Sequence, residues 1–206
     1  MTKLDHILWG TRALSECEEL FKSLCGLTLS GGGAHPGFGT HNTLASLGGG
    51  RYFEAIAPDP AQTQRSPRAQ QLAAFSQPRL MTFAVAGRDL EGYAARVRQA
   101  GIDTSDIIEM SRTRPDGVTL SWRLVYPSSR KWGDHIPFMI DWGNSEHPSL
   151  TAPHGCQLDE FVAIHPEAHQ LREIYAALAI PVQVSGGTQP GFMARLQTPN
   201  GSVVLT

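Results

Sequence analysis

Two ionisable side chains stand where a folding chain normally avoids placing them. His6 lies in Leu4–Gly10 and Glu54 in Arg51–Ala57, two short runs that read as strands. Alternation puts His6 with Leu4 and Leu8, and Glu54 with Tyr52 and Ile56, so both sit on mainly apolar faces. An imidazole or a carboxylate buried without a partner is costly or is forced neutral. Such a pair either hydrogen-bonds to itself or to backbone, or it does chemistry, because both groups move protons and bind divalent metals.

Other candidates surround them. His35 and His41 flank a Gly- and Pro-rich turn, and His41 and Asn42 begin a strand joined to backbone that a ligand can approach closely. His135 precedes a β-like run, and His147 and His154 fall in a connector, where a lone histidine usually serves the surface. His165 and His169, around a helix start, are expected at the surface too. In Leu120–Leu124, alternation gives Trp122 and Arg123 opposite faces. An inward Arg123 would clamp a carboxylate and an outward one would be an ordinary surface charge; strand phase leaves both open. Arg112 and Arg114, beside Pro115-Asp116-Gly117, are expected at a solvated hairpin tip.

Some chemistry lacks support. The glycine triplets Gly31–Gly33 and Gly48–Gly50 are not followed by Lys-Ser or Lys-Thr and open no helix, so they read as turns rather than phosphate loops. There is no Gly-x-Ser-x-Gly elbow. Cys17 and Cys25 fall in one expected helix and Cys156 lies far along the chain, so all three read as reduced thiols.

The elements that must position these residues show internal repetition. Leu4-Asp5, Ser30-Gly31-Gly32 and Pro36-Gly37-Phe38 recur as Leu158-Asp159, Ser185-Gly186-Gly187 and Pro190-Gly191-Phe192, at offsets of 154, 155 and 154 residues. In the first copy a strand precedes a helical stripe of Leu14, Cys17, Phe21 and Leu24, stopped by Gly26; strand-like runs follow at Leu27–Ser30, Thr40–Leu47 and Arg51–Ala57. The last copy repeats this order with Leu171, Ile174, Tyr175 and Leu178 as its stripe. The segment from Leu80 has the same order with different residues: a stripe of Leu90, Tyr93, Val97 and Ala100, then β-like runs centred on Ile107, Trp122 and Phe138. The expected organisation is therefore a first unit at 1–58, a connector at 59–78 with one possible helical turn, a second unit at 79–143, a connector at 144–156 and a third unit at 157–206. One helix per three or four strands argues α+β, with curled mixed sheets and helices on their outer face.

Composition sets broad limits. A chain of 206 residues, 41% hydrophobic, buries a substantial core, and 17 basic against 19 acidic residues leave a formal charge of -2, which disfavours nucleic acid as a general partner. No apolar window approaches a membrane span, and the start lacks a basic leader with an apolar stretch, so no membrane partner and a cytoplasmic location are expected.

Leu4-Asp5-His6-Ile7, His35-Pro36-Gly37-Phe38-Gly39-Thr40-His41-Asn42, Tyr52-Phe53-Glu54 and Ile136-Pro137-Phe138-Met139-Ile140-Asp141-Trp142, in this order within a βαβββ repeat, resemble the glyoxalase-like domain of the vicinal oxygen chelate superfamily. The resemblance implies paired modules curled into a cup that typically holds a divalent metal, with ligands from the first and last strand of each module. It places His6 and Glu54 in the first module's ligand positions, Thr82 and Phe138 in the second's, and Glu160 and Leu205 in the third's, so a full ligand set is not visible. Two functions follow. In one, a divalent ion (Zn, Fe, Mn, Ni or Co) held by His6 and Glu54 polarises vicinal oxygens of a small oxygenated compound while Glu54 moves a proton, in a lyase, isomerase or dioxygenase. His41 is then the first choice of third ligand. In the other, a metal-free cup binds an aromatic or drug-like molecule against Trp122, Trp142 and Phe138. His35, His41, Asn42, Trp122, Arg123 and Phe138 are the expected ligand-binding residues of either, the partner is a small molecule, and a homodimer is allowed.

Overall fold

The computed structural model describes residues 2–114 and 117–206. The first unit runs β1 (Lys3–Gly10), α1 (Leu14–Cys25), β2 (Ser30–His35), β3 (Thr40–Ser46) and β4 (Tyr52–Pro58). A short α2 (Pro67–Ala73) follows, where one helical turn was expected. The second unit runs β5 (Arg79–Ala86), α3 (Leu90–Gln99), β6 (Asp103–Thr104), β7 (Ile108–Thr113), β8 (Thr119–Val125), β9 (Pro127–Ser128) and β10 (Phe138–Asp141). The third runs β11 (Gln157–His165), α4 (Ala168–Ala177), β12 (Gln183–Gly186), β13 (Gly191–Thr198) and β14 (Gly201–Leu205).

Local chemistry explains the helices. On α1, Cys17, Phe21 and Cys25 are buried at helical spacing, and Gly26 takes a left-handed φ of 70° to return its N–H to the Lys22 carbonyl. On α3, the Asp89 side chain caps the Gly92 N–H, and Leu90, Tyr93, Ala94 and Val97 form the buried stripe. Ser66 caps α2, with Pro67 in its first turn. No helix among the described residues is long and apolar enough to cross a membrane.

The first two units share one eight-stranded sheet, ordered β2-β3-β4-β1-β5-β10-β8-β7. They join where β1 runs antiparallel to β5, and in each half the first strand pairs parallel with the last. The edge strands β2 and β7 approach each other, curling the sheet toward closure. Its outer face carries Ile7, Trp9, Phe53, Phe83 and Val85, covered by α1, α3 and the third unit. Its inner face carries Leu8, Ile56, Leu124, Phe138 and Ile140, a separate apolar cluster that α2 closes with Leu72.

Several features depart from the sequence reading. Residues 27–29 precede β2 rather than forming a strand, and the first glycine triplet lies within β2 itself. The third unit keeps the element order but pairs its strands as β12-β11-β13-β14, with its first strand parallel to its second. Cys156, distant in sequence, meets Cys25 side chain to side chain; all three thiols are free and buried. His165 is buried rather than exposed, beside Trp132 and His135.

Candidate functional site

The cup enclosed by the eight-stranded sheet contains a cavity of about 80 Å³, well above the ~10–15 Å³ that one water needs. One wall is polar, with His6, His35, Asn42, Glu54 and Arg112. The other is apolar, formed by Met110, Trp122, Tyr126, Phe138, Ile140 and Trp142.

His6 reaches this wall through an irregularity. The β1–β5 register shifts between Leu4 and His6. Leu4 therefore packs toward the outer core while His6 lines the cup, although strict alternation would put both on one side. The same shift lets neighbouring Asp5 and His6 bond to each other. His6 Nδ1 lies 2.6 Å from Asp5 Oδ1, and Nε2 lies 3.2 Å from Glu54 Oε2. Both nitrogens donate, so the ring is an imidazolium. Burial opposes that charge, but the hydrogen bonds to Asp5 and Glu54 outweigh it and raise the His6 pKa to about 9. The ring stacks on Tyr52 at 4.3 Å and meets the Phe138 edge at 5.5 Å.

Asp5 is equally enclosed. It also accepts from His147 Nε2 at 3.0 Å and from Trp142 Nε1 at 3.2 Å. Burial alone would raise its pKa, yet the bonds from His147 and His6 bring it down to about 2.

On the other side, Glu54 Oε1 accepts from Asn42 Nδ2 at 2.6 Å. Asn42 is oriented by the Gly33 N–H, which donates to its Oδ1 at 3.0 Å. His35 Nε2 then accepts from Asn42 at 3.3 Å, and its Nδ1 donates to Thr40 Oγ1 at 2.9 Å. Burial pushes the His35 pKa down, matching this neutral tautomer. Burial would raise Glu54, but His6 and Asn42 hold it below the usual carboxylate range. One ordered row thus runs from Thr40 through His35, Asn42, Glu54 and His6 to Asp5 and His147.

Two expected ligand-binding residues lie elsewhere. His41 alternates with Asn42 onto the outer side, where its electrostatic neighbours are Asp59 and Glu18 of α1, so it cannot complete a site with His6 and Glu54. Arg123 faces out: its Nη2 donates to Asp141 at 3.0 Å and its side chain is 41% exposed, leaving Trp122 to face the cup. His135 Nε2 donates to the Ile164 and Gly191 carbonyls and ties the second unit to the third. His154 and His169 are exposed.

Arg112 reverses the sequence reading. It is 5% exposed and lines the cup, while Arg114 pairs with Glu146; Pro115 and Asp116 of the hairpin tip lie outside the described residues. The signal was present, because Ile108, Met110 and Arg112 alternate toward one face of β7. Asp5 carried no such signal, since its position depends on the bulge.

The resemblance's metal does not fit this donor set. Asp5 is the kind of partner that orients a metal-bound imidazole, but the other His6 nitrogen already donates to Glu54. Thr82 donates its hydroxyl to the Asp134 carbonyl, and Phe138 offers a ring. In the third unit Glu160 pairs with Arg195 at 3.6 Å and Leu205 belongs to the outer core. Among the described residues no three His, Cys, Asp or Glu side chains are grouped to hold an ion.

Residues 4–179 match the family described as glyoxalase-like domain, and the chain belongs to that family. No curated protein matches it. Among solved structures, a hypothetical protein from Staphylococcus aureus superposes with a TM-score of 0.65 at 15% identity, over 99% of this chain and 84% of that one. A hypothetical protein from Bacillus halodurans gives 0.52 at 15%, over 70% and 97%. A Streptomyces coelicolor methylmalonyl-CoA epimerase variant in complex with 2-nitronate-propionyl-CoA gives 0.51 at 16%, over 71% and 98%. At these identities the likeness is one of fold.

Proposed function

We propose that this glyoxalase-like domain protein binds one small, oxygen-bearing organic molecule in its cup without a metal. The observation that carries the reading is the mixed lining of the cavity: an ionised, ordered Glu54–His6 pair, backed by Asp5, shares with Trp122, Tyr126 and Phe138 a space sized for a small molecule. Glu54 keeps lone pairs beyond those used by Asn42 and His6, so it accepts a hydroxyl from the ligand. The aromatic wall takes the hydrocarbon part.

A second reading follows from the ionised state of Glu54, which would let it remove a proton from the bound molecule. Its depressed pKa makes it a weak base, so binding is the primary reading. The two separate by experiment. Wild-type protein prepared without tag or chelator is assayed for metal, and a panel of small hydroxy compounds is followed through the indole NMR signals of Trp122 and Trp142. The expected result is no stoichiometric metal, binding unaffected by EDTA, and an affinity about 10- to 100-fold weaker in Glu54→Gln. Stoichiometric metal lost in His6→Ala would overturn the reading. Glu54-dependent exchange of a ligand C–H for deuterium would promote the protein to an enzyme.

A further inference from the structure

Among the described residues, Arg112 is the one buried cation at the cup that its surroundings leave incompletely satisfied. Its Nη1 is buried and has no hydrogen-bond partner. Its electrostatic neighbours are Glu54, Tyr52 and Arg114, and Glu54, the carboxylate among them, is already engaged by His6 and Asn42. Its stem crosses the closing seam of the cup, where β7 meets β2. There it lies alongside Gly33: a Cβ at that position would be in ordinary van der Waals contact with Arg112 Cδ, at 3.4 Å. A cation held this way, lining the cavity with one buried donor unpartnered, destabilises the free protein unless an anion completes it.

We propose that Arg112 is the anchor for a carboxylate, so that the ligand of the cup is a small hydroxycarboxylic acid. The carboxylate accepts from the planar guanidinium, and the hydroxyl donates to Glu54. This assignment rests on the cup being a small-molecule site, and it adds the charge and the two functional groups of what binds there.

The test pairs each acid with its neutral amide: lactate with lactamide, and mandelate with mandelamide. Calorimetry gives affinity, and the Trp122 and Trp142 signals report location. The expected result is that the acids bind in the cup, the amides bind about 10- to 100-fold more weakly, and Arg112→Met removes the difference. Acids and amides binding alike would overturn the carboxylate anchor while leaving the cup as a site. Failure of all four probes to bind would overturn both. Thermal denaturation supplies a readout that needs no ligand. If Arg112 is kept for an anion, Arg112→Met, which fills the same volume without the charge, raises the melting temperature of the free protein. A lowered melting temperature would show that Arg112 holds the seam together and would overturn the assignment.

Discussion

His6 holds a charge that the cup would not tolerate alone. It is 2% exposed, yet Asp5 and Glu54 keep it protonated, and Asp5 and Glu54 stay ionised because it is there. These couplings set a pH dependence with a definite sign. The His6 pKa rises from 6.5 to about 9, so its contribution to stability is full below 6.5 and is lost as pH climbs through about 9. The Asp5 pKa falls from 3.8 to about 2, so its contribution is full above 3.8 and is lost as pH drops through about 2. Glu54, also lowered, acts in the same direction as Asp5. Stability from this row is therefore greatest between about 4 and 6.5 and declines toward pH 9. Urea denaturation across that range measures the decline directly. Asp5→Ala strips His6, His147 and Trp142 of their shared partner and is expected to cost about 3–5 kcal/mol. In that variant the His6 imidazole, followed by NMR, titrates at lower pH; an unmoved His6 would show that Asp5 does not hold the charge.

At the scale of the element, the polar wall depends on how β2 lies against β3. Gly32 has φ +88°, and a Cβ there would stand 2.1 Å from the Asn42 carbonyl oxygen. Any side chain at this position pushes β2 off β3 and draws the neighbouring Gly33 N–H away from Asn42 Oδ1, the contact that orients Asn42 toward Glu54. Gly31 has φ +71° but open space around its missing Cβ. Gly31→Ala should therefore cost only the strain of its backbone, about 1–2 kcal/mol, and leave ligand affinity intact. Gly32→Ala should lose more stability and weaken binding as well; equal affinity in the two variants would refute the role given to this contact. The same strand shows where sequence reading succeeds and stops. Apolar spacing and the stop at Gly26 made α1 legible, and likewise α3 and α4, because those signals are local. The convergence of His6 and Glu54 was legible because the resemblance puts both on the first and last strands of one module, although His6 reaches the cup through a break in the alternation. The bulge beside Asp5, the place of Gly31–Gly33 inside β2 and the outward phase of His41 and Arg123 were not, since pairing between distant strands decides them. Arg112 was misplaced for another reason: a nearby turn signal outweighed a readable alternation.

Across the whole molecule, the third unit resembles the first in sequence but does a different job. It contributes no residue to the cup, whose lining ends at Pro148, and it packs its own sheet on the outer face of the larger one. Phe83 of β5 meets Phe161 at 5.3 Å and Phe192 at 6.0 Å, while Phe161 and Phe192 stack at 5.6 Å. This cluster stands behind the very strand that joins the two halves of the cup, so the third unit supports the curvature without touching the ligand. Truncating Phe161 should open a cavity in that outer core and cost about 3–5 kcal/mol. Sites on opposite faces of a sheet with no shared partner are close to independent. Phe161→Ala, once folded, should therefore bind the cup's ligand within about twofold of wild type. Denaturation curves and calorimetry on the same preparation test both halves of this expectation. A folded Phe161→Ala protein with lost affinity would show that the outer sheet sets the shape of the cup, and would make the third unit part of the binding machinery rather than its support.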